Sequence, residues 1–123
     1  MKNNKQPSYK DLEIVENQYD DRNYNIKISI PEFNCVCPRT GLPDFAEIKI
    51  NYIPNKWIVE LKSLKLYIFK FRNMGIFHEH VTNRILDDFK NACKPRNIQV
   101  EGEFHPRGGI KTSVLAEWLE EQN

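Results

Sequence analysis

Cys37 stands seven residues before Asp44, and the stretch between them holds Pro38, Gly41 and Pro43, residues that break regular structure and pin a short loop. Cysteine is nucleophilic as the thiolate, and a nearby carboxyl group can deliver a proton to whatever the sulfur attacks. The pair therefore has the parts for covalent catalysis. A free cysteine is more often a small buried hydrophobe, so the loop gains meaning only from what surrounds it.

Three further groups of residues carry chemistry. Lys62, Lys65, Phe69 and Arg72 follow one another at spacings of three, four and three, a stripe beside the apolar face of a helix. Lysines near a helix start suit a nucleotide phosphate, with the positive end of the helix dipole adding to them; the plainer alternative is a solvated face. Tyr67, Phe69 and Phe71 raise base stacking on single-stranded nucleic acid, although helical geometry scatters the rings. His78-Glu79-His80 lacks the H-E-x-x-H spacing that puts two histidines on one helical face, and zinc would require Cys35, Cys37 or Cys93 to converge on it. Otherwise Glu79 can accept N–H groups of a planar base while His78 orients a substrate or shuttles protons. Cys93 falls on an apolar helical side with Leu86 and Phe89 and reads as core. In Pro106-Arg107-Gly108-Gly109 the glycines let backbone pass close to a ligand and Arg107 can grip a phosphate bidentately, the alternative being an ordinary turn.

The elements that must position these groups show in the periodicity. Residues 1–23 are polar with little apolar rhythm, an irregular arm that orders only against a neighbour, and 24–123 form the domain. Tyr24, Ile26, Ile28 and Ile30 alternate with polar residues in a half-buried strand that Pro31 ends. Ala46, Ile48, Ile50 and Tyr52 do the same up to Pro54, and the two strands pair. Leu61, Leu64, Ile68 and Phe71 then recur at helical spacing over Glu60 to about Asn73, closed by Gly75, and Val81, Ile85, Phe89 and Ala92 repeat that spacing before Pro95. A strand from Ile98 to Phe104 and a final segment from Ile110 to Trp118, read as strand over helix, complete a ββααββ order. This is an α+β domain, a four-stranded antiparallel sheet with two helices on one face.

Composition narrows the classes. The chain's 123 residues fit one domain, and 18 basic against 17 acidic residues, a net charge of +1, give no global field for nucleic acid or an anionic membrane. No apolar run reaches a membrane span and the polar start is no secretory signal, so a cytoplasmic protein with reduced thiols is expected.

Four separated stretches resemble one family. Cys37-Pro38-Arg39-Thr40-Gly41-Leu42-Pro43-Asp44-Phe45, Glu60-Leu61-Lys62-Ser63-Leu64-Lys65-Leu66-Tyr67, Phe77-His78-Glu79 and Pro106-Arg107-Gly108-Gly109 look like the short, single-domain form of the NADPH-dependent nitrile reductase QueF, which makes a queuosine precursor. The resemblance implies reduction of 7-cyano-7-deazaguanine to 7-aminomethyl-7-deazaguanine with two NADPH. Cys37 would add to the nitrile as a thioimide, with Asp44 and His78 as catalytic partners that divide the proton transfers. It also implies substrate contacts from Val59, Glu60, Leu61, His78 and Glu79, with backbone contact alone carried over at Leu61, where some members have serine. Lys62, Lys65 and Arg107 would hold the cofactor phosphates, with no metal. No glycine-rich dinucleotide fingerprint is present, so that cofactor site is not a Rossmann one. The family's tunnelling fold is the ββααββ unit read above, and its homo-oligomers stack two rings with active sites at subunit interfaces, without direct nucleic-acid or membrane partners. A tunnelling-fold cyclohydrolase, dependent on zinc, and an RNA-binding module using the lysine stripe are the competing readings.

Overall fold

The computed structural model describes residues 6–120. In chain order it contains a 3-10 turn at Tyr9–Asp11, then β1 (Ile14–Glu16), β2 (Ile26–Val36), β3 (Pro43–Ile53), β4 (Trp57–Val59), α1 (Leu61–Phe69), α2 (His78–Cys93), β5 (Asn97–Phe104) and β6 (Ser113–Leu119). β2, β3, β5 and β6 make one antiparallel sheet in that order, and β1 pairs with β4 in a separate two-stranded ribbon. The long strands and the helices thus keep the expected ββααββ order, and the final segment is a strand, paired with β5 from Asn97 to Glu103.

Alternation decides which face of the sheet is covered. Ile48, Ile50 and Tyr52 of β3 and Ile98, Val100 and Phe104 of β5 point inward and are buried, while Lys27, Lys49 and Gln99 point outward and are exposed. α2 lays Val81, Ile85, Phe89 and Cys93 across β5 and β6, and α1 adds Leu64 and Tyr67 to the same buried core. Phe89 meets Tyr52 edge-on at 4.9 Å, and Tyr67 meets Phe71 at 5.3 Å. Cys93 is fully buried in this layer, and burial pushes its thiol up to about 12.

Three expectations change. β2 does not end at Pro31. It slips by one residue, since Ile30 faces Ile48 but the next inward pair is Phe33 with Ala46, leaving Pro31 and Glu32 opposite Glu47 alone. Proline is tolerated because β2 is an edge strand that needs no ladder N–H there. The helix expected to Asn73 stops at Phe69 and continues as tight turns to Met74.

The segment before Tyr24 is not irregular throughout, because this chain itself supplies its partners. β1 pairs with β4, Glu13 N–H donates to Ser63 Oγ at 2.9 Å, and Arg96 donates to Asp20 O and Asn23 Oδ1 at 2.7 Å each. Residues 1–5 lie outside the described residues.

Candidate active site

Three segments meet at one end of the sheet. The first is the β2–β3 turn. Past the bulge, Phe33 and Cys35 face inward, Cys35 sits opposite Asp44, and Cys37 follows two residues on. Cys37 N–H donates to Leu42 O, and Gly41 N–H donates to Cys37 O, both at 2.9 Å. Gly41 adopts a positive φ of 75°, which closes the turn.

The second is the approach to α2. Val36 N–H donates to Met74 O and Ile76 N–H donates to Val36 O, so residues 74–76 run beside the strand that bears the thiol. They deliver Phe77, His78 and Glu79 to the same place, and His78-Glu79-His80 form the first turn of α2. The third is the β5–β6 hairpin. Gly108 and Gly109 both take positive φ, as a tight hairpin turn requires, and Arg107 closes it against Ile110.

Cys37, Pro38, Asp44, Phe77, His78, Glu79, Arg107 and Gly108 line an open cavity of about 490 Å³. A larger hollow, of about 710 Å³, lies between Pro7 and the turns from Phe69 to Gly75 and is lined by no cysteine. Asp44 is the buried centre of the smaller cavity, only 5% exposed. Arg107 Nη1 donates to its Oδ1 at 2.6 Å, and His78 Nε2 lies 3.2 Å from its Oδ2. Cys37 is half-buried, and its thiol is lowered from the ordinary value. The largest cause is a hydrogen bond from the Thr40 side chain, followed by the backbone N–H groups of Thr40 and Arg39. Cys35, by contrast, is pushed up to about 12, mainly by burial and then by Asp44 and Cys37. The two neighbouring thiols are thus shifted in opposite directions, Cys37 down and Cys35 up.

The remaining expected residues form a second group. Val59 N–H donates to Tyr52 Oη at 3.1 Å. Tyr52 sits eight residues along β3 from Asp44, roughly 26 Å at the usual strand rise. The described chain therefore does not bring Val59, Glu60 and Leu61 to the Cys37 cavity. Glu60 caps α1, its carboxylate accepting from Lys62 N and Ser63 N at 2.8 Å each, and these bonds hold it below the usual carboxylate range. Two amides of that helix start are therefore taken by a carboxylate from within the chain, which weakens the expected help of the helix terminus to a phosphate. Leu61, Lys62 and Lys65 are exposed, and neither lysine forms an ion pair among the described residues.

Sequence reading missed two supports. Thr40 prepares the thiol, and Phe104 stacks flat on His78 with ring centroids 3.9 Å apart and planes 7° apart. Neither has a motif, although Thr40 lies inside the Cys37 stretch. The expected grip of Arg107 on a phosphate meets a prior engagement with Asp44. The histidines diverge: His78 faces Asp44, His80 packs on Phe77 and His105 on Phe45. Among the described residues no three His, Cys, Asp or Glu side chains converge as a metal site would need, and no helix is long and apolar enough to cross a membrane.

Known proteins resemble this chain in sequence and fold. A family model described as QueF-like protein covers residues 43–123. Proteins named NADPH-dependent 7-cyano-7-deazaguanine reductase are similar along most of the chain. The one from Chlorobaculum tepidum is 53% identical over 87% of this chain and 92% of its own. That from Chloroherpeton thalassium is 56% identical over 90% and 96%, and that from Nitrosomonas europaea 57% over 91% and 80%. Among solved structures, the apo archaeosine synthase QueF-Like superposes with a TM-score of 0.67 over 77% of this chain and 91% of that one. Its identity is 24%, and the likeness is one of fold.

Proposed function

Because the chain belongs to the QueF family of NADPH-dependent 7-cyano-7-deazaguanine reductases, we propose that Cys37, Asp44 and His78 carry its chemistry. The protein is an oxidoreductase that reduces the nitrile of 7-cyano-7-deazaguanine to an aminomethyl group with NADPH. The observation that supports this assignment is the lowered thiol of Cys37, in one cavity with a buried carboxylate held between Arg107 and His78.

A nitrile carbon is a weak electrophile. The Cys37 thiolate adds to it, the C–S bond forms as one C≡N π bond opens, and the nitrogen takes a proton to give a covalent thioimide. Asp44 and His78 are the groups placed to hand over that proton, His78 Nε2 and Asp44 Oδ2 lying within one transfer of each other. NADPH, when bound, supplies hydride to the activated carbon twice. Between the two reductions the sulfur leaves with the C–S electron pair as the nitrogen lone pair forms the imine, and the leaving thiolate is eased by the Thr40 hydroxyl. The exposed Glu79 carboxylate takes no side-chain hydrogen bond among the described residues and is placed to accept two N–H groups of the guanine-like edge. Lys62 and Lys65 fit the cofactor phosphates as uncommitted exposed ammonium groups. Arg107 fits them only through Nε and Nη2, since Nη1 is held by Asp44.

Two half-sites in one chain call for a neighbour. β2 and β6 are sheet edges without a partner strand among the described residues, and Leu61, Leu66, Leu115 and Leu119 are more than half exposed. A homo-oligomer that pairs these edges buries that surface and brings Val59 to Lys65 of one subunit to the Cys37 cavity of the next. The experiment is intact mass spectrometry after incubation with 7-cyano-7-deazaguanine and no NADPH, followed by peptide mapping. A substrate-sized adduct on Cys37 is expected. An adduct on Cys35 or Cys93, or none with the thiols reduced, overturns the assignment.

A further inference from the structure

We infer that Phe104 is a positioning residue for His78 and that Gly102 exists to make room for it; this rests on the catalytic role assigned to His78 above. His78 begins α2, where Phe77 at the N-cap offers no side-chain bond, and among the described residues its ring's polar partner is Asp44. A hydrogen bond or proton transfer between Nε2 and a carboxylate oxygen is directional, and rotation of the imidazole about its Cβ–Cγ bond swings the N–H out of line. The flat contact with Phe104, at 3.9 Å and 7°, is what restrains that rotation.

Phe104 is itself fixed. It is 1% exposed, faces Ala46 across the sheet, and its N–H donates to Thr112 O at 3.0 Å. Two residues earlier on the same face stands Gly102, which is not among the residues with positive φ, so its backbone does not call for glycine. Space does. A Cβ there would fall 2.8 Å from Phe104 Cε1 and 2.7 Å from Thr82 Oγ1. Thr82 Oγ1 in turn donates to the His78 carbonyl at 2.9 Å. A single methyl group at position 102 would thus press on the ring under His78 and on the hydroxyl that ties His78 to the next turn.

The test compares Phe104→Leu, apolar but without a flat face, with Phe104→Tyr, which keeps the ring, in the full-length protein. Both are checked for folding by thermal melting, and Phe104→Met, closer in volume, replaces the leucine variant if that one does not fold. Kinetics and a crystal structure of each are the readouts. Phe104→Leu is expected to lower kcat for nitrile reduction about 10- to 100-fold while KM for the substrate moves less than about threefold. In its crystal structure the His78 ring turns until Nε2 no longer points at Asp44. Phe104→Tyr keeps both the rate and the ring. Unchanged kcat in the leucine variant, an unmoved His78 ring, or equal losses in the leucine and tyrosine variants each overturn the inference. If the wild type proves inactive on the nitrile, the functional reading fails, and the ring angle of His78 still decides this one.

Discussion

Arg107 and Asp44 form the shortest ion pair of the cavity, Nη1 to Oδ1 at 2.6 Å, and the other oxygen of that carboxylate faces His78. An arginine expected from sequence to hold cofactor phosphate is therefore also a partner of the acid. Arg107→Ala is expected to lower kcat by about 10- to 100-fold as well as raise KM for NADPH, because it releases a buried carboxylate from its orientation. Steady-state kinetics decide it. A change confined to KM for NADPH would return Arg107 to phosphate binding alone.

Thr40 offers a finer test of the nucleophile. Its hydroxyl is the largest cause of the lowered Cys37 thiol, so Thr40→Val moves that thiol back toward the ordinary value of 9.0. Less thiolate is then present at neutral pH, and alkylation of Cys37 by iodoacetamide at pH 7 slows about three- to tenfold. The sign is fixed by the direction of the shift: the rate profile moves to higher pH, and wild-type reactivity returns in alkaline solution. A profile that stays in place would remove Thr40 from the site.

Subunit mixing tests the divided site. Cys37→Ala and the double variant Lys62→Ala, Lys65→Ala are each expected to be nearly inactive alone. Co-expressed in equal amounts, they should regain about a quarter of wild-type activity, because a site drawing each half from a different chain is intact in one combination of four. Sites complete within one chain would regain nothing.

A half-buried carboxylate away from the site sets a pH dependence. Asp88 accepts the Tyr67 hydroxyl at 2.6 Å and lies 3.6 Å from Arg84, yet burial is the largest influence on it and raises it above the ordinary 3.8. The folded state therefore holds this proton to higher pH than the unfolded state does. The contribution is stabilising below pH 3.8 and is lost as pH rises from there through the raised value. Asp88→Asn should flatten that part of the stability curve, as chemical denaturation across acid pH would show. An unchanged slope would mean that Asp88 ionises alike in both states.

Much of the fold was legible because alternation and helical spacing are local. Ile26 to Ile30, Ala46 to Tyr52 and Val81 to Ala92 declare their faces within a few residues. The ribbon of β1 with β4 was not legible, since three-residue strands carry no period and their support comes from Ser63, fifty residues away from Glu13. Glu60 hid for a different reason: glutamate is not among the usual N-cap residues, so its capping role over Lys62 and Ser63 had no signal. Cys37, Asp44, His78, Glu79 and Arg107 were each singled out by type and company, and they line one cavity. The Arg107–Asp44 contact and the stack of Phe104 on His78 join residues 63 and 26 positions apart, and only the closed sheet reveals them.

The bulge at Pro31 and Glu32 sets the parity of everything after it. Were the ladder to run on from Ile30 without the slip, Glu32 would take the inward place opposite Ala46, Phe33 would turn outward, and both thiols would change sides of the sheet. Removing one of the two residues would instead restore a regular ladder and leave Phe33 and Cys35 facing inward. The slip itself, more than the identity of its two residues, is what keeps the thiol side of this strand facing Asp44.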